Sequence, residues 1–229
     1  MAAAQILHLE AAQGNWSAAA HALEVVITSK DHARPQSETL QSCHRQKVAL
    51  AYLQAKPYFD KHQQEPTQGG QTEKEAVRQL QLAIATDRGF WPATILLADY
   101  HLKSGQLRKA AKVLEIGFAV TPNTHLSDRL KQAWNVNTAA FVSKLIKLSS
   151  SIGTDHAAEA LTLTANEALV AGLEGEARRL LDGIEEVKRD VTAWQLIARL
   201  AEIREDSAAA SNALRVAGSA MRPRGWQCQ

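Results

Sequence analysis

The stretch that decides the fold is Trp91–Pro122, WPATILLADYHLKSGQLRKAAKVLEIGFAVTP. Apolar and small side chains recur at helical spacing through Leu96, Leu97 and Tyr100. They stop at Ser104-Gly105 and resume through Leu107, Ala110, Ala111 and Leu114. That periodicity predicts two amphipathic helices. Joined by so short a glycine turn, they must fold back on each other as an antiparallel hairpin. Pro92 stands where a first helical turn tolerates proline, and Pro122 just past the second helix. Leu97-Ala98, Ala110, Leu114 and Pro122 follow the order of the tetratricopeptide pattern, whose period is about 34 residues. One hairpin cannot bury its own apolar face, so neighbours of the same kind are required.

Spacing bears on that requirement. Ala110/Leu114 is the small-then-large pair of a second helix. Ala76/Leu80 lies one such period before it, Ala177/Leu181 close to two periods after it, and Ala210/Leu214 close to one period further on. The double gap leaves room for a degenerate hairpin through Leu130 to Leu148. Trp194, Ile197 and Ala198 repeat the first-helix signature, with Leu161, Thr164 and Ala165 as a weaker copy. Small residues at these positions let paired helices approach closely. The fold expected is all-α, with tetratricopeptide-like hairpins stacked into a right-handed superhelix.

In chain order, Met1–Ala12 reads as a helix and Trp16–Ser29 as its partner, with Ala19/Leu23 as the pair. Asp31–Glu38 is a polar connector, and Leu40–Tyr58 a helix ended by Pro57. Residues 61–72, KHQQEPTQGGQT, hold a proline, paired glycines and no apolar side chain, the marks of a loop-like insertion. Glu73–Asp87 completes that interrupted hairpin. After Pro122 come helices over His125–Trp134 and Asn137–Ser149, Asp155–Val170 and Glu174–Val187, then Val191–Ile203 and Ala208–Ala220. The organisation expected is therefore N-terminal repeats over 1–60, the insertion over 61–72, repeats over 73–221 and a tail over 222–229. In the tail, Trp226 reads either as a plug on the last hairpin or as an exposed aromatic anchor. The opening MAAAQILHLEAAQGNW starts directly inside a helix, as a piece of a longer protein would.

A net charge of +2 over 229 residues gives no reason to expect nucleic-acid binding. Its distribution is uneven: residues 101–150 hold eight Lys/Arg against two Asp/Glu, and residues 151–210 hold six against twelve. Two readings stand, unevenly charged solvated faces or a basic middle surface for an acidic partner or anionic lipid headgroups. Arg108, Lys109, Lys112, Arg129 and Lys131 would form that basic surface. No apolar run reaches the ~18 residues of a membrane span. Cys43 and Cys228, the only two cysteines, are in no metal-ligand spacing.

Catalytic motifs are missing from the sequence: there is no glycine-rich phosphate loop, Gly-x-Ser-x-Gly, His-Glu-x-x-His or Cys-x-x-Cys. Glu185-Glu186 and Glu205-Asp206 are sequence neighbours that point about 100° apart on a helix, so they do not converge on one substrate. The chain is expected to be no enzyme, and no cofactor or metal is expected. His101 stands where a tetratricopeptide first helix usually carries tyrosine. It reads as a packing histidine or, alternatively, as an axial ligand.

Phe90-Trp91-Pro92-Ala93, Leu97-Ala98, Gly105, Lys109-Ala110, Val113-Leu114-Glu115 and Pro122 together resemble the C-terminal repeat domain of the HemY family. The closing Ala220–Cys228, with Pro223 and Trp226-Gln-Cys, resembles the ending of alphaproteobacterial members, and Leu7–Leu23 resembles their start. The insertion and the degenerate hairpin match poorly, and Asn123-Thr124 intervene where relatives place histidine directly after the proline. The resemblance implies a bacterial inner-membrane protein whose two spanning helices lie outside this chain. It further implies scaffolding in late haem biosynthesis or in membrane organisation, with a mitofilin homologue or haem-biosynthesis enzymes as partners. The unpaired cysteines suit a reducing compartment and are compatible with the periplasm, so the side of the membrane stays open with the cytoplasm favoured.

Three functions follow. The first is a partner-binding groove lined by first helices, with Thr94, Asp99, His101, Lys103, Asn166, Gln195 and Arg199 as its lining. The second is tetrapyrrole handling, with His101 or His125 as ligand and Lys103, Arg108 or Lys112 pairing with propionates. The third is binding of the basic middle to an anionic membrane surface. The groove ranks first because every recognisable feature is architectural.

Overall fold

The computed structural model describes residues 10, 13, 15–28, 37–61 and 70–220, and these are all-helical. In order the helices are α1 (Trp16–Thr28), α2 (Ser37–Lys61), α3 (Gln71–Thr86), α4 (Trp91–Lys103), α5 (Leu107–Val120), α6 (Thr124–Trp134) and α7 (Thr138–Ser150). There follow α8 (Ala157–Val170), α9 (Glu174–Asp182), a single 3-10 turn at Glu186–Lys188, α10 (Val191–Ile203) and α11 (Ser207–Ala220). The chain forms two compact units, Met1–Gly117 and Phe118–Gln229.

Within the first unit α1 packs on α2, α2 on α3 and α3 on α4, and α2 also touches α4. Within the second, α7 packs on α8, α8 on α9, α9 on α10 and α10 on α11, while α8 also touches α10. Within each of these two runs a helix meets its successor, and two pairs of alternate helices meet as well. That is the arrangement by which hairpins with one apolar face each bury it against the next. The residues that carried the pattern are the core: Ala19, Leu23, Ala76, Leu80, Leu97, Ala98, Ala110, Leu114, Ala177 and Leu181 are all buried.

One turn recurs in three hairpins. Gly105 (φ 69°), Gly172 (φ 74°) and Glu205 (φ 61°) are left-handed. They follow the spacing of the alanine pairs, a double period and then a single one. At each, two backbone bonds close the helix end. Gly105 N–H donates to Leu102 and Gln106 N–H to His101, Gly172 to Leu169 and Leu173 to Ala168, Glu205 to Glu202 and Asp206 to Ala201, all at 2.8–3.0 Å. Paired bonds of this kind around a left-handed residue satisfy the orphan carbonyls of the preceding helix, and glycine pays no Cβ penalty there. Glu205 does. Glu205→Gly is therefore expected to raise stability by about 0.5–1 kcal/mol, read as a higher urea midpoint with unchanged slope.

Four expectations need correction. The helix expected to stop at Pro57 runs on to Lys61. Pro57 is exposed, so its missing N–H is left on the wet side, and Phe59 anchors the final turn by packing edge-on against Tyr100 (5.6 Å between centroids). The ends of the expected insertion are helical too, Lys61 in α2 and Gln71 and Thr72 in α3. The helix expected over Glu174–Val187 ends at Asp182; Gly183 caps it, and Ile184, not a further helical turn, fills the core. In the last pair Ala210 is buried but Leu214 is 49% exposed, its place against α10 taken by Ala213 and Ala217. Also exposed on α11 are Ser211, Asn212, Arg215 and Ser219.

The degenerate hairpin forms as α6 and α7. Asn123, which departs from the HemY pattern, is the N-cap of α6: its Oδ1 accepts the Leu126 N–H at 3.0 Å. Asn137 caps α7 in the same way. The helix expected over Met1–Ala12, most of the insertion, the Trp226 plug and the tail lie outside the described residues. No described helix is long and apolar enough to cross a membrane.

Candidate functional site

All three tyrosines of the chain gather in the first unit with two of its four phenylalanines. Tyr52 stacks edge-on against Phe90 at 5.5 Å, and Phe59 against Tyr100, so aromatic edges join α2 to α4 and its N-cap. Tyr100 also donates its hydroxyl to Glu73, a buried carboxylate in the first turn of α3. That position suits a negative charge, because the positive end of the helix dipole faces it. The bond to Glu73, then burial, hold the Tyr100 phenol above its ordinary pKa, so it stays protonated and donating. Tyr100→Phe is expected to lose about 1.5–3 kcal/mol, one charge-assisted hydrogen bond, in urea unfolding.

Beside this cluster a trough of about 1380 Å³ opens over α2 with α1 and α3 as walls. Its floor is Leu50, Ala51, Gln54 and Tyr58 of α2. The α1 wall presents Trp16, Ala18, Ala20 and Glu24, and the α3 wall Gln71, Glu75, Ala76, Gln79 and Leu82. Alanines make it deep, since each sets a methyl where a longer chain would fill the space. Gln54 donates to the Trp16 carbonyl at 2.9 Å, tying α1 to α2. On the α3 rim Glu75 accepts Arg78 Nε and Nη2 at 2.8 and 2.7 Å and Gln79 Nε2 at 2.7 Å, which lowers its carboxyl to about 2. That rim is therefore charge-neutral over the ordinary pH range. At one end Lys47 is shared with a smaller cleft of about 450 Å³ bounded by His44, Arg45, Thr86 and Asp87.

None of the residues expected to line a groove lines this trough. Thr94 is 1% exposed and is no lining residue: it packs on Gly117 of α5, where an added Cβ would lie 2.6 Å from Thr94 Cγ2. The repeat register marks it as a packing position, since Thr94, Leu161 and Trp194 occupy one site in successive copies of the pattern. His101 is 9% exposed, a packing histidine whose Nδ1 has no partner among the described residues. Asp99 and Asn166 are half-buried, Arg199 exposed, and the three occupy one register position. Lys103 and Gln195 are exposed.

Of the expected basic surface, Arg108, Lys109 and Lys112 are exposed on α5 in the first unit. Arg129 and Lys131 belong to α6 in the second, where Lys131 lies 5.7 Å over the Phe141 ring. His125 is exposed. Among the described residues no three His, Cys, Asp or Glu are grouped to hold a metal.

Burial, then the Lys109 charge, push the His101 imidazole below its ordinary value, with a Gln106 hydrogen bond opposing. The unfolded chain therefore takes up this proton first. The stability is fully present above the unfolded value of 6.5 and is lost as pH falls from there through the folded value. His101→Gln is expected to flatten stability against pH over that window in parallel urea titrations.

These features define an all-helical protein of successively packed hairpins with an open three-helix trough. No protein-family model matches the chain, and no curated protein matches it.

Proposed function

We propose that the chain is a protein-interaction scaffold, a tetratricopeptide-like array whose hairpins stack into a right-handed superhelix and hold a partner protein. The observation that carries this reading is the trough itself: three packed helices leave about 1380 Å³ open, with Leu50, Ala51 and Tyr58 on its floor and alanines on both walls. Concave sites of that kind suit binding. In this reading the chain works by binding, not by catalysis. Its motifs resemble those of HemY proteins, which supports a soluble domain of a membrane-anchored protein tied to haem biosynthesis and inner-membrane organisation. A mitofilin-type membrane protein or a haem-pathway enzyme is then the partner.

The test is a pull-down from membranes of the source organism with this chain as bait, read by mass spectrometry. Recovery of a mitofilin homologue or a haem-pathway enzyme supports the scaffold. Two variants locate the contact, Ala18→Trp in the trough and the pair Asp99→Ala/Lys103→Ala on α4. Loss with the first alone places the partner in the trough; loss with the second alone places it on α4. Recovery of neither class of protein overturns the named partners.

A further inference from the structure

We infer that the trough takes one amphipathic helix of a partner protein, lying with its apolar stripe on α2 and its acidic C-terminal turn at the cationic end. This rests on the scaffold reading and specifies its ligand. Size gives the first constraint. A rod about 10 Å across filling 1380 Å³ is about 18 Å long, which is about 12 residues at the α-helical rise. That is one ordinary helix, of the length this chain itself uses.

Chemistry along the trough gives the second. Trp16, Ala20, Tyr58 and Leu82 are half-buried, so their outer faces offer apolar surface to a stripe of leucine-like side chains. On the α3 rim Glu75 and Arg78 neutralise each other, and Gln71 and Gln79 stand beside them, so uncharged polar flanks are accepted.

Polarity gives the third. α1 and α2 are antiparallel, because Trp16 meets Gln54 while Leu23 clusters with Leu50. The trough thus runs from Trp16, Tyr58 and Gln71 at one end to Glu24, Lys47 and Leu82 at the other. Beyond Lys47 lies the smaller cleft with His44 and Arg45. The carboxylate among its described lining residues, Asp87, is engaged through Oδ1 with the Gly89 N–H at 2.8 Å. Arg45 and Lys47 form no ion pair among the described residues. Glu24, on the facing wall, offsets part of this charge. A helix C-terminus carries partial negative charge, and acidic side chains there add to it, so this end is complementary to a cationic pair.

The probe is a synthetic, fluorescein-labelled peptide of about 14 residues, with a leucine stripe, glutamine flanks and two glutamates in its last turn. Its control has the same composition with the glutamates moved to the first turn. Acidic residues favour helix formation at the first turn, so intrinsic helicity biases the comparison towards the control. Fluorescence anisotropy against the intact chain is expected to show the probe binding about tenfold tighter than the control, a preference that fades at high salt. The Arg45→Glu/Lys47→Glu variant is expected to abolish the preference, and Ala18→Trp, at an exposed position, to weaken both peptides.

Equal affinities, or binding that Ala18→Trp leaves unchanged, would overturn the inference. So would a dimer in sedimentation that Ala18→Trp returns to monomer, because a second copy would then be the occupant. If neither peptide binds while the pull-down recovers its partner away from the trough, the helix ligand fails and the scaffold stands. If the pull-down also fails, both fall.

Discussion

Phe141→Ala should lower the stability of the second unit by about 3–5 kcal/mol, the largest loss expected from any single change considered. Phe141 is fully buried on α7. Its ring lies 5.6 Å from that of Trp134 at 56°, and Lys131 Nζ sits 5.7 Å from its centroid. Removing the ring costs the transfer free energy of its apolar surface and leaves a cavity in a hairpin of modest size. Trp134 also carries Lys144 Nζ over its ring, at 5.4 Å from the centroid, a contact it would give up by collapsing into the space. The measurement is urea unfolding followed by circular dichroism. A loss under about 1 kcal/mol would mean that the α6–α7 hairpin contributes little to the unit that contains it.

Gly117→Ala should destabilise the first unit by about 1–3 kcal/mol, although alanine is the better helix former by about 1 kcal/mol. The new methyl would lie 2.6 Å from Thr94 Cγ2 and 3.4 Å from Thr94 Oγ1 and Cβ. Thr94 has little room to turn away: its χ1 is stiff, and it is buried beneath α5. Thr94→Ala alone should be mild, because its Oγ1 makes no hydrogen bond among the described residues. The double variant moves one methyl across the helix interface and should recover most of the loss. A double-mutant cycle reads the coupling directly; additivity of the two changes would show that the helices meet elsewhere.

The hairpins were legible because their signals are local. Alanine at the helix crossings, large apolar residues one turn on and a left-handed turn at fixed spacing each follow from how two helices pack, and each lies within one repeat. Pro57 misled because its penalty depends on solvent at its own position and on Phe59 reaching Tyr100, a contact between residues far apart in the chain. Leu214 misled because a pattern residue is buried only when another helix lies against that side, and none of the described helices does so for α11.

The candidate site was much less legible. Thr94 and His101 are polar residues on a first helix and read as lining, yet the register of Leu161 and Trp194 already placed Thr94 inside. The trough left no motif at all. Its floor and walls come from three helices, and its depth comes from alanines that look in sequence like any other helical alanine. Only the juxtaposition of Ala18, Ala20, Ala51 and Ala76 makes them a cavity.

The turn shared by Gly172 and Glu205 bears on how this chain tolerates changes of length. The two turns stand one repeat apart and close with the same two backbone bonds, so the segment between them is a cassette with matching ends. Adding or removing residues within a helix would rotate every later side chain by about 100° per residue and turn the alanine stripe away from its partner. Adding or removing a whole cassette keeps each join in register. Growth and shortening of the array by duplication or loss of this segment are thus mechanically neutral steps, whereas single-residue indels are confined to the connectors.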